Sequence, residues 1–576
     1  MRNPILKILG VLGMATVALG VSAQELNESL YVEGEYIPDI IRMEKLHILP
    51  TKVSFDLTAN PPAYSLTGVA TNYNPDILAL PTQSWRASRA GLTRRGYFDL
   101  GAGTNLNVVG SAGYRFLNTD KMKAGIMLQH NSTALFKPKV NEWTENLRRR
   151  RYDEALGLYG SFLTDNGTLD ASIYYHLGWF NYYGQYIPEN RIPYRFSTQT
   201  LNDLTFRLAW KGIGAPVDYS ASAGVKYFGY RDLPLDDQKG SRETNIMLNG
   251  NVEKAIDSSK IGILADIDLL LYNDNNKGVD DSPYPSVDNY SKVTLTPYYR
   301  YVNGNVSAQL GANVDLTVNA GNKGDRYSTV HISPASYVQW SGRGLGAYLR
   351  FDGGTHLQTL AERAKWDYYQ CPVITNTLPV YSPIDATLGL NFGPWTGFTA
   401  GISAEYAYTK NNLLGGWYMS YVYGYLRERF MTIKGLKLAA NAKYEYGNIF
   451  TVEGAIAYNN QNKEHGFFNG YDRPRWIIDA AVTMNPIDNL SVNLNYQYRG
   501  VRTIYEDGSE YVPLVMDYVG HRLPDLTLLG VGAKWQPITN LTIWGEVNNI
   551  LGCKGAILPL QFQEGVNFAV GFGVTF

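Results

Sequence analysis

The last eleven residues constrain this chain more than any other stretch. Val566, Phe568, Val570, Phe572, Val574 and Phe576 alternate with Asn567, Ala569, Gly571, Gly573 and Thr575, and the chain stops on the aromatic. A two-residue period with chemically opposite faces marks a strand whose two sides meet different surroundings. A soluble sandwich could end this way, but the pattern recurs far upstream. Leu169, Ala171, Ile173, Tyr175, Leu177 and Trp179 alternate with Asp170, Ser172, Tyr174, His176 and Gly178. Val306, Ala308, Leu310, Ala312, Val314, Leu316 and Val318 do so against Ser307, Gln309, Gly311, Asn313, Asp315 and Thr317. Leu436 to Tyr446 and Val492 to Tyr498 repeat it, with aromatics gathered at strand ends.

The other terminus predicts export. Arg2 and Lys7 precede an apolar run from Ile8 to Leu19, and Val21-Ser22-Ala23 supplies small residues for cleavage before Gln24. That is the layout of a signal peptide, residues 1–23, with an apolar run too short to span a bilayer. No later stretch approaches the roughly 20 apolar residues of a membrane helix. A closed barrel is the other structure that satisfies its backbone in lipid, so outer-membrane lipid is the expected surrounding.

Charged residues are 18% of the chain, below the roughly 25% of soluble domains, while 57 Gly and 44 Tyr suit tight wall positions and interfacial girdles. The 51 basic and 52 acidic residues leave no electrostatic footprint for nucleic acid. Two cysteines exclude a disulfide scaffold and a multi-thiolate metal site. No metal or cofactor is expected.

Connection lengths orient the barrel. Tight turns at Asp165-Asn166-Gly167, Asp257-Ser258-Ser259-Lys260, Asn303-Gly304-Asn305, Ser341-Gly342-Arg343-Gly344, Gly393 to Gly397, Asn485 to Asn489 and Gln536 to Asn540 fall on one side. The long connections, about Tyr272 to Asn289, Thr355 to Pro383, Lys410 to Gly435 and Asn459 to Pro474, fall on the other. This parity predicts an all-β, antiparallel up-and-down transmembrane barrel over residues 96–576, with about 22 strands (20–24) and the N-terminus periplasmic. Trp417 to Phe430 could be a strand but would break the parity, so it is assigned to an outside loop.

On the face expected to line the lumen stand Asp170, His176, Lys226, Asp266, Asp268, Arg300, Arg350, Asp352, Glu405, Lys437, Lys443, Glu445, Arg499, Lys534 and Glu546. Both signs are present, which argues against a strongly ion-selective pore. Asp170 and His176 have the chemistry of a hydrolase acid and base, but three alternation steps put about 20 Å between them. No enzyme is expected. Asp274, Asn276 and Asp280-Asp281 resemble a calcium loop in which Gly278 stands where a side-chain oxygen is needed. Arg148 to Arg151 reads as a solvated or lipid-headgroup-facing run, and Cys371 and Cys553 fall in outside loops.

The stretch Gly96-Tyr97-Phe98-Asp99-Leu100-Gly101-Ala102-Gly103-Thr104-Asn105 resembles the opening hairpin of barrels in the TonB-dependent receptor superfamily of Bacteroidota. Val547-Asn548-Asn549-Ile550-Leu551, followed by a loop and a last strand ending in Phe576, is similar to the close of those barrels. The resemblance covers the barrel alone, since only residues 24–95 precede it where such receptors carry a globular plug. The segment Tyr31 to Ile40, with Leu49-Pro50 after it, looks like the leader of plugless members. Residues 24–95 are rich in Pro and are expected to form an extended periplasmic tail or a lumen filler. The resemblance implies that the barrel-assembly machinery reads the last strand, with Phe568, Phe572 and Phe576 as its signal. Two functions follow: a solute-transport barrel or channel without its own plug, or a structural or assembly subunit bound to other outer-membrane proteins.

Overall fold

The structure is a computed structural model that describes residues 94–136, 149–181, 198–212, 217–232, 239–273, 289–320, 327–366, 378–419, 424–463, 474–503, 522–558 and 561–576. The expected signal peptide, the leader, the Asp274–Asp281 loop, Arg148 and Cys371 lie outside the described residues.

Each strand pairs antiparallel with its neighbour in sequence, and the first, Gly96–Gly103, pairs with the last, Asn567–Thr575. Tyr97 lies opposite Thr575, and the backbone N–H groups of Arg95 and Gly96 both donate to the carbonyl of Phe576 at 2.8 Å. The sheet therefore has no free edge, which is the condition for sitting in lipid. Tyr327–Pro334 and Ser336–Gly342 both pair with Val306–Ala320 and form one strand interrupted at Ala335. There the N–H of Ala335 donates to the carbonyl of Gly311, whose own N–H donates to Ser336 Oγ. Counted so, the barrel has 22 strands.

The tight turns work as their residues demand. Arg343-Gly344 and Thr396-Gly397 take positive φ at both positions, the geometry that matches strand twist in two-residue hairpins. At Gly397 a Cβ would stand 2.1 Å from the carbonyl oxygen of Glu445, so no other residue fits. One expectation needs correction. Most of Lys410 to Gly435 is strand: Phe398–Met419 and Gly424–Tyr446 stay paired from Phe398↔Tyr444 out to Met419↔Gly424. Trp417 to Phe430 thus prolongs two existing strands and adds none, so the parity it was expected to break survives.

The two faces differ as the alternation requires. One carries exposed large apolar side chains, among them Ile173, Leu310 at 73% exposure, Leu436, Leu494 and Phe568. Aromatic pairs band this face at two levels. Trp395–Phe398 and Tyr446–Phe450 flank the tight turns, while Tyr152–Trp179 and Tyr458–Trp476 stand toward the long loops. Phe450 and Tyr458 are eight residues apart on one strand, about 26 Å along it and about 20 Å in height at a 40° tilt, the scale of an apolar band about 25 Å tall. The opposite face is polar.

Candidate functional site

Cross-strand register, and the two-residue spacing along single strands, decide which charges meet on the polar face. Lys226 Nζ lies 3.3 Å from Asp203, Lys437 Nζ 3.3 Å from Glu405, and Lys443 Nζ 2.7 Å from Glu445. Arg300 lies 3.2 Å from Glu253, Arg350 2.7 Å from Asp352, and Arg499 2.8 Å from Asp479. Asp268 is 3.6 Å from Lys292, while Asp266 accepts a hydrogen bond from Asn249 Nδ2. At the closing seam Lys534 faces Asp99 and Glu546, and Asp99 accepts from Trp544 Nε1 at 3.2 Å. These pairs set both signs of charge side by side along the wall.

His176 does find a carboxylate from another strand, but it is Asp153, 2.9 Å from Nε2 and also engaged by Arg151. Asp170 stays six residues away on the same strand, so the two do not form an acid–base pair. Asp153, Asp203, Glu253, Lys292 and Asp479 are partners that no single strand shows: Lys292 lies directly opposite Asp268, the others reach theirs diagonally, and Glu253 meets Arg300 across an intervening strand. Register, which was not available from one sequence, is what reveals them.

Two described loop segments return onto the polar face at the long-loop end. The first is the helix Leu360–Trp366, in the connection that the sequence reading treated as one outside loop, Thr355 to Pro383. Its signal was present: Thr359 and Glu362 form a capping box, with the Glu362 N–H donating to Thr359 Oγ1 at 3.1 Å and the Thr359 N–H to Glu362 Oε2 at 3.3 Å. Leu360, Ala361 and Ala364 bury against Phe180, Leu201, Phe228, Tyr230, Leu270, Tyr272, Tyr290 and Ala320. Those eight residues come from strands five to eleven, on the same side as Asp170, Asp203, Lys226 and Asp268. The N–H of Leu360 donates to Glu243 Oε2 at 2.7 Å, a second anchor.

The second segment precedes the last strand. Glu564 is buried and lies 2.6 Å from Arg149 Nη2 of the fourth strand, while Asn105 Nδ2 donates to it at 3.1 Å. Asn549 holds the base of this loop, donating from Nδ2 to the carbonyls of Cys553 and Glu564. Arg149 and Arg151 of the arginine run are therefore turned to the polar face. The neighbouring loop buries Arg502, whose guanidinium burial lowers to about 10 against the opposing pull of Asp525. Cys553 is a half-buried free thiol.

The stripe of the last strand is placed as its alternation requires, with Phe568, Phe572 and Phe576 exposed on the apolar face and Phe572 packed against Phe98. Among the described residues no group of His, Cys, Asp or Glu is arranged to hold a metal ion.

No family model matches the chain and none of the curated proteins matches it in sequence. Solved structures do. The FrpB iron transporter from Neisseria meningitidis (F3-3 variant) superposes with a TM-score of 0.64 at 13% identity, over 84% of this chain and 82% of that one. A mutant of the ferric enterobactin receptor PfeA from Pseudomonas aeruginosa gives 0.62 at 10% identity, over 84% and 80%. The copper transporter OprC gives 0.59 at 10% identity, with the same coverage. The fold is that of the TonB-dependent receptor barrels. Among the described residues no plug domain accompanies it.

Proposed function

We propose that the chain is an outer-membrane transport barrel for hydrophilic solutes, with the polar face lining its lumen and the aromatic-banded face in lipid. The observation that carries this reading is the closed sheet whose charges stand mostly in pairs on one face, opposite an apolar face that the His130–Glu154 pair interrupts near the long-loop end. Hydrogen bonds that skip strands support the inward direction of the polar side. Tyr298 Oη reaches Glu253 across an intervening strand, and Arg149 reaches the loop before the last strand. Such chords are short only on the concave side of a closed sheet.

Lumen positions are assigned accordingly to Asp170, His176, Lys226, Asp266, Asp268, Arg300, Arg350, Asp352, Glu405, Lys437, Lys443, Glu445, Arg499, Lys534 and Glu546. Paired charges favour uncharged or zwitterionic solutes over ions of one sign. Liposomes holding the purified protein should swell in isotonic arabinose, and with no preference between K⁺ and Cl⁻ in reversal potential. A tight vesicle with folded protein would overturn the transport reading.

The alternative, a subunit of an outer-membrane complex, is favoured by the ribbon that Phe398–Met419 and Gly424–Tyr446 extend past their neighbours, whose pairing stops at Tyr381↔Lys410 and Ile433↔Lys463. Among the described residues no further strand pairs with either side of the ribbon there, and a strand edge is the template on which another chain adds a strand. A stoichiometric partner lost on deleting residues 412–431 would support this reading.

A further inference from the structure

We propose that the helix Leu360–Trp366 is the size-limiting element of the outer mouth, held in the lumen by an apolar seat and by Glu243; this rests on the transport reading above. The connection carrying the helix leaves the strand Leu345–His356, the thirteenth, and returns at Val380–Trp395. Its helix does not rest on those strands. It packs against side chains of strands five to eleven, so the segment crosses the mouth on the polar side.

The seat is unusual for that wall. Elsewhere the polar face carries Asp, Lys, Arg and Asn, yet at its upper rim six strands contribute Phe180, Leu201, Phe228, Tyr230, Leu270, Tyr272, Tyr290 and Ala320, all buried, and the strand Arg242–Ile256 among them contributes Glu243. Without a cover these apolar groups would face a water-filled lumen. The helix meets them with Leu360, Ala361 and Ala364, and presents Glu362 and Lys365 to solvent. Two small alanines let its backbone lie close to the aromatic floor. Glu243 takes the N–H of Leu360, one of the donors a helix start leaves unsatisfied.

Dimensions decide what such an element does. Twenty-two strands about 4.8 Å apart at a tilt of about 40° give a backbone diameter of about 44 Å. A helix about 10–12 Å across, lying on one arc of that wall, narrows the mouth without sealing it. The loop anchored by Arg149 and Glu564 covers the adjoining arc. Among the described residues the free path lies between and below these two elements, so the helix governs the size of what passes.

The test uses full-length protein in liposomes and compares swelling in arabinose, sucrose, raffinose and stachyose. Leu360→Asp puts a charge into the seat and releases the helix, whereas Lys365→Ala changes only the solvent side. Wild type and Lys365→Ala should admit the small sugars and slow steeply along the series. Leu360→Asp should raise the stachyose rate at least threefold while leaving arabinose nearly unchanged. Should Leu360→Asp fail to give heat-modifiable folded protein, Leu360→Ala and Glu243→Ala remove one anchor each and should shift the cut-off in the same direction. An identical cut-off in folded wild type and variants overturns the inference and leaves the transport reading standing. Failure of every form to admit arabinose overturns both.

Discussion

Adjacent residues of one strand should respond oppositely to the same substitution if the faces are assigned correctly, and Leu494 and Asn495 provide the pair. Both lie on Leu490–Arg499, where Leu494 stands between Val482 and Val531 on the apolar face and Asn495 between Ala481 and Gly530 on the polar one. Leu494 is five residues above the turn at 488–489, about 17 Å along the strand and about 13 Å in height at a 40° tilt. That is the middle of an apolar band about 25 Å tall. An arginine at such a depth on the lipid side costs about 2–4 kcal/mol, a factor of about 30 to 900 in the folding equilibrium. At Asn495 the neighbours are small and the surroundings aqueous, so Asn495→Arg should cost well under 1 kcal/mol. The assay is urea-dependent folding into vesicles, with the folded fraction read from heat-modifiable gel mobility. Equal shifts of the midpoint for Leu494→Arg and Asn495→Arg would refute the face assignment, whatever the strand count.

Removing Phe576 takes away the carbonyl that receives Arg95 and Gly96 and the last ring of the exposed stripe, so inserted protein should fall in cells; normal yield would mean that the terminal residue is not read during insertion. Arg149→Met leaves Glu564 buried without its cation, a loss of about 3–5 kcal/mol that should appear as faster cleavage of the loop at 549–566 by external protease. Unchanged cleavage would show that Asn105 and Asn549 hold the loop without it. Deleting residues 25–90, with signal and first strand kept, should raise single-channel conductance if that segment enters the lumen; the same conductance in a folded barrel would assign it to the periplasm.

Strand number and closure were legible in the sequence because a period of two and the length of each connection are local quantities. The terminal stripe from Val566 to Phe576 and turns such as Thr396-Gly397 could be read without knowing what lies across the sheet. Partners could not. Lys226 meets Asp203 and Arg499 meets Asp479 through registers set by turn geometry and by bulges, such as the one between Met484 and Ile487, where a shift of one residue exchanges the faces. Trp417 to Phe430 was misplaced for a related reason. The stretch could be read as a strand, but nothing local says whether a strand adds to the count or lengthens two strands already counted.

The covering loops mark the limit of that local reading, and they also explain an irregularity within it. Leu201, Phe228 and Leu270 fall on the polar side of their strands, where alternation alone would place hydrophilic groups, so each looks like an exception to the pattern. With the helix Leu360–Trp366 seated on them the exceptions become a single apolar patch with a single occupant. Burying a leucine such as Leu360 contributes about 1.5–3 kcal/mol, enough to hold a capped helical turn against its ordering entropy only when several such contacts act together. Apolar residues breaking the polar face at the same rim height on consecutive strands, together with a capping box in a long outside loop, therefore form a joint signal. Each half is weak alone, and the two point to one another.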